Sequence, residues 1–301
     1  MGRLTAIVLG SAAGGGFPQW NCRCPPCRLA WAGDPRVRPR TQAGLAVSAD
    51  GATWALFNAS PDLGQQIRQC KPLQPQSGIR GSPIRSVVLT GAEIDQVVGL
   101  LSLREREPFT LFATPATLRI LADSPVFAAL ADEVVTRHPV LPGERLQLPG
   151  GLQAEIFATP GKIPLYLEGG TPELASETAT CAGIEVSAAN ARMVYVPGAA
   201  AVTSAMMDRL RSADVVFFDG TLFQDDEMIK TGTGSKTGRR MGHMPIDGES
   251  GSLALLRSLT GRRIFIHINN TNPVLVDGSR ERLEVERSGW EIAEDGLEVV
   301  L

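Results

Sequence analysis

The chain has 301 residues, of which 43% are hydrophobic and 20% are charged, and its formal net charge is −3. These values are ordinary for a globular chain, no apolar run reaches the roughly 18 residues of a membrane-spanning helix, and the near-balance of charges provides no basic field for nucleic acid. Only three histidines are present, which excludes any site that needs four or five of them. We therefore expect neither a membrane nor a nucleic acid among the partners.

The N-terminal segment predicts a buried strand over residues 4–9, followed by a turn at Gly10-Ser11. Six such residues followed by glycines are too few for the apolar core of a secretory signal peptide. Five cysteines, an odd number, without such a signal favour a reducing compartment. The sequence therefore predicts a cytoplasmic protein.

Further apolar runs that end near turn residues predict strands, and amphipathic segments between them predict helices. The predicted strands are 54–57, 85–90, 110–113, 154–157, 193–196, 215–219 and 263–268. The predicted helices are 61–70, 93–107, 115–121, 202–212 and 250–257. Strands interrupted by helices indicate α/β or α+β layers with the helices outside. Because no low-complexity linker divides the chain, we expect one domain over residues 1–301.

Three cysteines within six residues form the strongest chemical motif, Cys22-Arg-Cys24-Pro-Pro-Cys27. Zinc prefers four tetrahedral ligands, and closely spaced thiolates in a turn stiffened by proline can provide three of them. The alternative is a set of free thiols or a redox pair. We favour structural zinc, whose fourth ligand comes from elsewhere; the candidates are His243, His267, Asn269 and Asn270.

A second motif places acidic side chains where a predicted strand meets a predicted helix. Glu93, Asp95 and Gln96 lie at the start of that helix, where carboxylates also serve as ordinary N-terminal caps. Asp219 and His267 each close an apolar strand, and side chains at strand ends meet at one sheet edge. One histidine with several carboxylates suits a hard or borderline metal such as iron or manganese.

The glycine-rich loop 230–243 carries a local basic cluster in an acidic chain. Lys236, Arg239 and Arg240 could pair with carboxylates of a ligand, and glycines let backbone N–H groups approach it. His243 is a candidate proton donor or acceptor. The alternatives are a solvated loop and a structural histidine.

Two further residues are weaker candidates for contact with a substrate. Ser60 follows a predicted strand, where a helix cap is the simpler interpretation, and Arg104 is followed by Glu105, with which it could form a surface ion pair. The candidate substrate-binding set is thus Ser60, Arg104, Lys236, Arg239, Arg240 and His243.

The segment from Leu89 to Leu100 resembles the metal-binding motif of the metallo-β-lactamase superfamily, with Gly91, Glu93 and Gln96 in place of histidines and Asp95 kept. The resemblance implies a four-layer αββα sandwich of the α+β class. It matches Asp219 to the bridging aspartate and His267 to the last metal histidine. It also implies that Cys22, Cys24 and Cys27 bind structural zinc with Asn270, three residues after that histidine.

A closer resemblance, over nearly the whole chain, is to the family of pyrroloquinoline quinone (PQQ) biosynthesis B proteins. It is carried by Phe17-Pro-Gln-Trp-Asn-Cys-Arg-Cys, by 58–63, 101–105, 219–222 and 236–245, and by His267-Ile-Asn-Asn-Thr-Asn-Pro. Position 96 is usually histidine in that family, so Gln96 departs from the pattern. The resemblance implies an oxidoreductase that hydroxylates the tyrosine-derived ring of a cross-linked Glu–Tyr precursor with oxygen.

The metal set that this implies is Glu93, Asp95, Asp219 and His267, holding Fe²⁺, with His243 and Asp95 in catalytic roles. PQQ or a PQQ precursor is the expected ligand, and a homodimer is compatible with the sequence. Loss of the metal histidines favours an alternative, a carrier that binds and transports PQQ or its precursor without chemistry. A hydrolase of the superfamily and a zinc-stabilised interaction domain are further alternatives.

Overall fold

The structure, a computed structural model, describes residues 3–168 and 177–301, with the backbone alone at 177–179. The described strands are β1 Thr5–Gly10, β2 Gly44–Ser48, β3 Trp54–Phe57, β4 Ile84–Val88, β5 Phe109–Ala113, β6 Val135–Pro139, β7 Arg145–Leu148, β8 Leu152–Pro160, β9 Glu177–Ala188, β10 Ala191–Val196, β11 Val215–Asp219, β12 Arg262–Ile266, β13 Glu291–Ile292 and β14 Glu298–Val300. The described α-helices are α1 Pro25–Trp31, α2 Leu63–Gln69, α3 Ile94–Val97, α4 Pro115–Ala122, α5 Ser204–Arg211, α6 Glu227–Lys230, α7 Gly238–Met241, α8 Ser252–Leu255 and α9 Arg280–Arg287. Short 3₁₀ helices cover Lys71–Leu73, Val98–Leu103, Pro125–Ala129, Leu165–Leu167 and Pro273–Leu275.

The strands form two mixed sheets of seven strands each. The first has the order β14-β1-β2-β3-β4-β5-β6 and the second the order β13-β12-β11-β10-β9-β8-β7. In the second sheet β10, β11, β12 and β13 run parallel. The carboxyl ends of β11 and β12 therefore meet at one edge, as the sequence predicts for Asp219 and His267.

Alternating side chains of each strand build three apolar layers. In β11, Val215 and Phe217 face the first sheet, whereas Val216 and Phe218 face the helices outside the second sheet, because successive side chains of a strand point to opposite faces. A third cluster packs α2, α3 and α4 against the outer face of the first sheet. This arrangement is the predicted four-layer αββα sandwich, in which sheet packs on sheet with helices on both outer faces. None of the described helices has the length and apolar character needed to cross a membrane.

The predicted helix 93–107 is α-helical only at its start and ends earlier than predicted. Helix α3 ends at Val97, and the chain continues as the 3₁₀ helix Val98–Leu103. The N–H of Gly99 donates to the carbonyl of Ala59 at 2.8 Å, and a Cβ at Gly99 would lie 2.0 Å from the carbonyl oxygen of Ser60. This close approach to a neighbouring loop diverts the backbone hydrogen bond that would have continued the α-helix. The sequence analysis did not predict six of the described strands, which are β2, β6, β7, β9, β13 and β14.

Candidate functional site

The site begins at Asp219, the last residue of β11, whose side chain is fully buried. Its Oδ1 accepts hydrogen bonds from the backbone N–H of Thr221 at 3.0 Å and from the Thr221 hydroxyl at 2.6 Å. Its Oδ2 accepts from the N–H of Ala199 at 3.0 Å and lies 2.8 Å from Nδ1 of His243. Burial opposes the charge of Asp219, but attraction to His243 and the hydrogen bond with it outweigh this, so the pKa is lowered.

Two histidines stack beside this carboxylate. The rings of His243 and His267 are 5.1 Å apart between centroids and nearly parallel, with an interplanar angle of 19°. One ligand atom each from Asp219, His243 and His267 lie within 4.8 Å of one another. The sequence predicts proton transfer, substrate binding or zinc ligation for His243, and the structure places its ring beside Asp219 and His267, away from the cysteines.

Asp95, another of the predicted metal ligands, contacts His267 directly. Its Oδ2 lies 2.9 Å from Nε2 of His267. Burial disfavours both charges, but the hydrogen bond and the attraction between the two groups lower the pKa of Asp95 and raise that of His267. His267 has a backbone φ of 61°, an uncommon left-handed conformation that is strained in non-glycine residues and concentrates at functional sites.

Thr221 connects this group, and no sequence prediction singled it out. Its hydroxyl lies 3.0 Å from Nδ1 of His243, 2.8 Å from Nδ1 of His267 and 2.6 Å from Oδ1 of Asp219. One side chain therefore fixes the orientation of both rings and of the carboxylate. Its place two residues after the strand-closing Asp219 was the available signal, but the rings it contacts come from distant segments.

Glu93 lies in the cavity wall, and its carboxylate is engaged elsewhere. Glu93 and Gln96 form a reciprocal capping box at the start of α3, in which the Gln96 Oε1 accepts from the N–H of Glu93 at 3.2 Å. Oε1 of Glu93 lies 3.3 Å from Nζ of Lys162 and accepts from the N–H of Leu165. The capping interpretation describes Glu93 better than the predicted metal-ligand role, because its charge is paired with Lys162.

A cavity of about 360 Å³ opens above these residues. Its wall includes Asp95, Thr221, Lys236, His243 and His267. Such a volume falls within the range of small-molecule sites. The cavity therefore joins the potential metal ligands to one of the predicted basic residues of loop 230–243.

The other predicted substrate-binding residues lie outside the described wall of this cavity. Ser60 is buried and bonds to Gln66 at 3.2 Å, and Arg104 is exposed and pairs with Glu105 at 3.3 Å. The guanidinium of Arg239 donates to Ser250. These placements do not support direct substrate contact by Ser60, Arg104 or Arg239, since their polar atoms are satisfied by neighbours elsewhere.

Two charged residues that the sequence analysis did not single out complete the wall and its support. Lys162 lines the cavity, and its Nζ lies 2.8 Å from Oε1 of Glu168. Glu168 also pairs with Arg240 at 3.3 Å and with Lys236 at 3.6 Å. Arg240 thus reaches this cluster through Glu168, although it does not itself line the described cavity.

The three predicted zinc cysteines converge at a separate place. One Sγ each from Cys22, Cys24 and Cys27 lie within 4.8 Å of one another. Cys24 Sγ lies 3.3 Å from the carbonyl oxygen of Asn270, and the Asn270 side-chain nitrogen lies 3.4 Å from Cys27 Sγ. The Cys24–Cys27 hydrogen bond lowers the pKa of Cys27, which favours the thiolate that binds metals.

Asn270 is thus the predicted fourth-ligand candidate that the structure brings to the cysteines. His243 and His267 belong to the other cluster, and Asn269 lines the cavity and donates to Thr271 at 2.6 Å. Thr271 in turn donates to the buried carboxylate of Glu227 at 2.6 Å. The segment from His267 to Thr271 therefore links the cysteine cluster to the cavity.

A family model described as "Beta-lactamase superfamily domain" matches residues 53–268 of this chain. The Coenzyme PQQ synthesis protein B of Rhizobium meliloti (strain 1021) is 56% identical over 299 residues, which cover 99% of this chain and 98% of the relative. The protein of the same name from Methylobacterium sp. (strain 4-46) is 54% identical over 299 residues, covering 99% of this chain and 100% of the relative.

Solved structures give the same picture. The crystal structure of Zn²⁺-bound PqqB from Methylobacterium extorquens has a TM-score of 0.97 and 51% identity, covering 99% of this chain and 100% of that one. A diphosphatase of the PhnP family has a TM-score of 0.69 at 21% identity, covering 99% and 97%, and shares the fold alone. On these matches, the chain belongs to the β-lactamase superfamily and, within it, to the family of coenzyme PQQ synthesis B proteins.

Proposed function

We propose that this chain acts in PQQ biosynthesis as an iron- and oxygen-dependent hydroxylase of the tyrosine-derived ring of a cross-linked Glu–Tyr precursor. The observation that supports this most strongly is the convergence of two imidazoles and one carboxylate, from His243, His267 and Asp219, within 4.8 Å. Two histidines and one carboxylate with open positions are the ligand set of non-haem iron oxygenases. The sequence alone offered one histidine and several carboxylates.

The residues present fit a single ferrous ion. Nδ1 of His243 and Oδ2 of Asp219 lie 2.8 Å apart, a separation that two neighbouring ligand atoms of one ion can have. Asp95 lies 2.9 Å from the ring of His267 and fixes its orientation, as carboxylates next to metal-ligating histidines commonly do. Iron bound there would supply the activation of dioxygen, and Lys236 in the same wall would attract the carboxylates of the precursor.

The cysteine cluster supports a second, structural metal. We propose zinc held by Cys22, Cys24, Cys27 and Asn270, because three thiols and an amide converge at one place. The crystal structure of the relative from Methylobacterium extorquens is described as Zn²⁺-bound. In this chain, zinc would fix α1 and the segment that carries His267.

Oxygen insertion tests the hydroxylase directly. Inserting one atom of O₂ into a ring C–H bond releases the other as water and consumes two protons and two electrons, so the assay includes an external reductant such as ascorbate. We expect the ferrous protein to consume oxygen and to add one oxygen mass, carrying label from ¹⁸O₂, to a Glu–Tyr-derived substrate. The absence of both oxygen uptake and a mass change would refute the proposal.

A matched pair of histidine variants ties that activity to the site. His243→Ala removes one of the two imidazoles, whereas His138→Ala alters an exposed histidine in β6. We expect the first to lose iron and oxygen uptake together and the second to retain both. Equal activity of the two variants would show that His243 does not hold the metal.

A carrier of PQQ or its precursor is the alternative. It is favoured by Gly91, Glu93 and Gln96, because Gly91 has no side chain and the other two are engaged in the cap of α3. Metal analysis separates the two functions. About one zinc per chain and nothing else would favour the carrier, whereas zinc plus iron that tracks oxygen uptake would favour the hydroxylase.

A further inference from the structure

Three cationic side chains converge on one carboxylate beside the cavity. Nζ of Lys162 lies 2.8 Å from Glu168, the Arg240 guanidinium lies 3.3 Å from it, and Nζ of Lys236 lies 3.6 Å from it. We call Lys162, Lys236, Arg240 and Glu168 the cationic cradle. Its two lysines line the same cavity as His243 and His267.

Burial makes this cluster different from a surface ion pair. The side chain of Lys162 is 8% exposed and that of Glu168 is 9% exposed. The residues just before Glu168 are far more open, with Leu165 at 54% and Leu167 at 45% exposed. Since burying a charge is costly unless it is paired, the carboxylate of Glu168 is drawn inward by the cations, away from solvent.

Helix α7 places these groups together. It carries Arg240 and ends at Met241, and its C-cap residue Gly242 has a φ of 89°. A Cβ at Gly242 would lie 3.3 Å from Cγ of Lys162. The absence of a side chain there lets the end of α7 pack on the aliphatic part of Lys162, which aims its ammonium group at the cavity wall.

We propose that the cationic cradle is a subsite for a carboxylate of the substrate, and that Glu168 occupies the place of that carboxylate in the ligand-free state. The three cations of the cradle face two carboxylates, those of Glu168 and Glu93, so the net charge of these five groups is +1. Displacement of Glu168 from the cations would raise the net charge of the remaining four groups to +2. The three cations already surround one carboxylate, that of Glu168, and the two lysines can be reached by a ligand from the cavity. The choice of a multiply carboxylated aromatic ligand rests on the proposed function.

The mechanism predicts competition between Glu168 and a ligand. A protein whose binding-competent state is only partly populated binds with an affinity reduced by that fraction. Removing the charge of Glu168 should therefore tighten binding of a carboxylated ligand, whereas a residue that merely held the lysines in place would weaken it when neutralised. The sign of the effect distinguishes the two roles.

Titration calorimetry with benzene-1,3,5-tricarboxylate at constant ionic strength tests this on the full, metal-loaded chain. We expect Glu168→Gln to lower the Kd about tenfold, in line with a ligand-competent state that is a minor population. Glu133→Gln, which removes an exposed carboxylate paired with Arg106, should leave the Kd unchanged. Unchanged or weaker binding by Glu168→Gln would overturn the proposal.

Lysine variants provide a second, independent arm. Lys236→Gln changes a side chain that is 35% exposed and should raise the Kd about tenfold, whereas Lys71→Gln, at an exposed position in the first 3₁₀ helix, should not. These variants test the carboxylate subsite even if Glu168→Gln does not fold. Equal effects of the two variants, or displacement of the tricarboxylate by sulfate at equal concentration, would show general ion attraction and refute a carboxylate subsite.

The two proposals fail separately. If oxygen uptake is absent but the tricarboxylate Kd responds to Glu168 and Lys236 as expected, the hydroxylase is refuted and the subsite stands. If oxygen uptake is present but neither substitution changes the Kd for the tricarboxylate, the subsite is refuted and the hydroxylase stands.

Discussion

Nε2 of His267 lies 2.9 Å from Oδ2 of Asp95, across 172 positions of sequence. Asp95 lies in α3, the helix that follows strand β4 of the first sheet in the chain. His267 directly follows strand β12 of the second sheet. The pair therefore joins the two sheets at the edge where the cavity opens. A packed sandwich brings the two elements together, and the hydrogen bond then sets the direction of the imidazole.

Thr221 should act as a positioning residue for the metal ligands. We expect Thr221→Val to weaken iron binding by about 10–100-fold, the usual cost of losing a partner that orients metal ligands, because its hydroxyl contacts both rings and Asp219. Thr221→Ser keeps the hydroxyl and should restore most of the affinity. Metal titration followed by iron content measures both variants, and equal affinities of the valine and serine variants would contradict the assignment.

Removal of zinc should destabilise the protein through the cysteine cluster. Chelation should release one zinc per chain and lower the Tm, because metal binding to a folded site contributes to folding free energy. Cys27→Ala should abolish both the bound zinc and the effect of the chelator. Cys70→Ala, at a half-buried thiol after α2, is the control and should behave like the parent protein. A chelator-sensitive Tm in the Cys27 variant would argue against this site.

Position 91 should not accept a side chain. A Cβ there would lie 2.5 Å from Oε1 of Gln96 and 2.8 Å from the carbonyl oxygen of Thr180. We expect Gly91→Ala to lower the free energy of unfolding by about 1–3 kcal/mol, the usual cost of overpacking. Gly81→Ala is the control, since a Cβ there would make an ordinary contact of 3.5 Å with the carbonyl oxygen of Ser77. Denaturant unfolding compares them, and equal losses would contradict this steric argument.

Glu227 should make stability fall as pH rises. Burial raises the pKa of its carboxyl to about 7 despite hydrogen bonds from Thr271 and two backbone N–H groups. Between the ordinary pKa near 4.3 and about 7 the folded state holds the proton more tightly than the unfolded state, so this contribution is lost with rising pH. Its size is on the order of 3 kcal/mol.

Comparison with Glu227→Gln isolates this effect. The glutamine cannot ionise, so its Tm should fall less than that of the parent protein between pH 5 and pH 8. Its amide can still accept from the N–H of Phe223 and donate to Thr271, which keeps the local contacts. Parallel Tm curves for the two proteins over that pH range would show that Glu227 does not carry the pH dependence.

Features that depend on local pattern could be predicted from the order of residues alone. The strand ending at Asp219 was predicted with its observed limits because a continuous apolar run and the glycine that follows it are local signals. The cysteine motif was predicted because its thiols are close in sequence. The resemblance to a known family identified the sandwich and the positions of Asp219 and His267.

The contacts that these groups make with one another depend on how distant segments pack. His243 joins Asp219 and His267 because α7 folds back over the sheet edge, which no local signal reveals. Glu93 caps α3 together with Gln96, and its carboxylate pairs with Lys162, which lies 69 positions away. Direction and pairing of side chains depend on packing between distant segments, and a linear pattern of residue types does not contain that information.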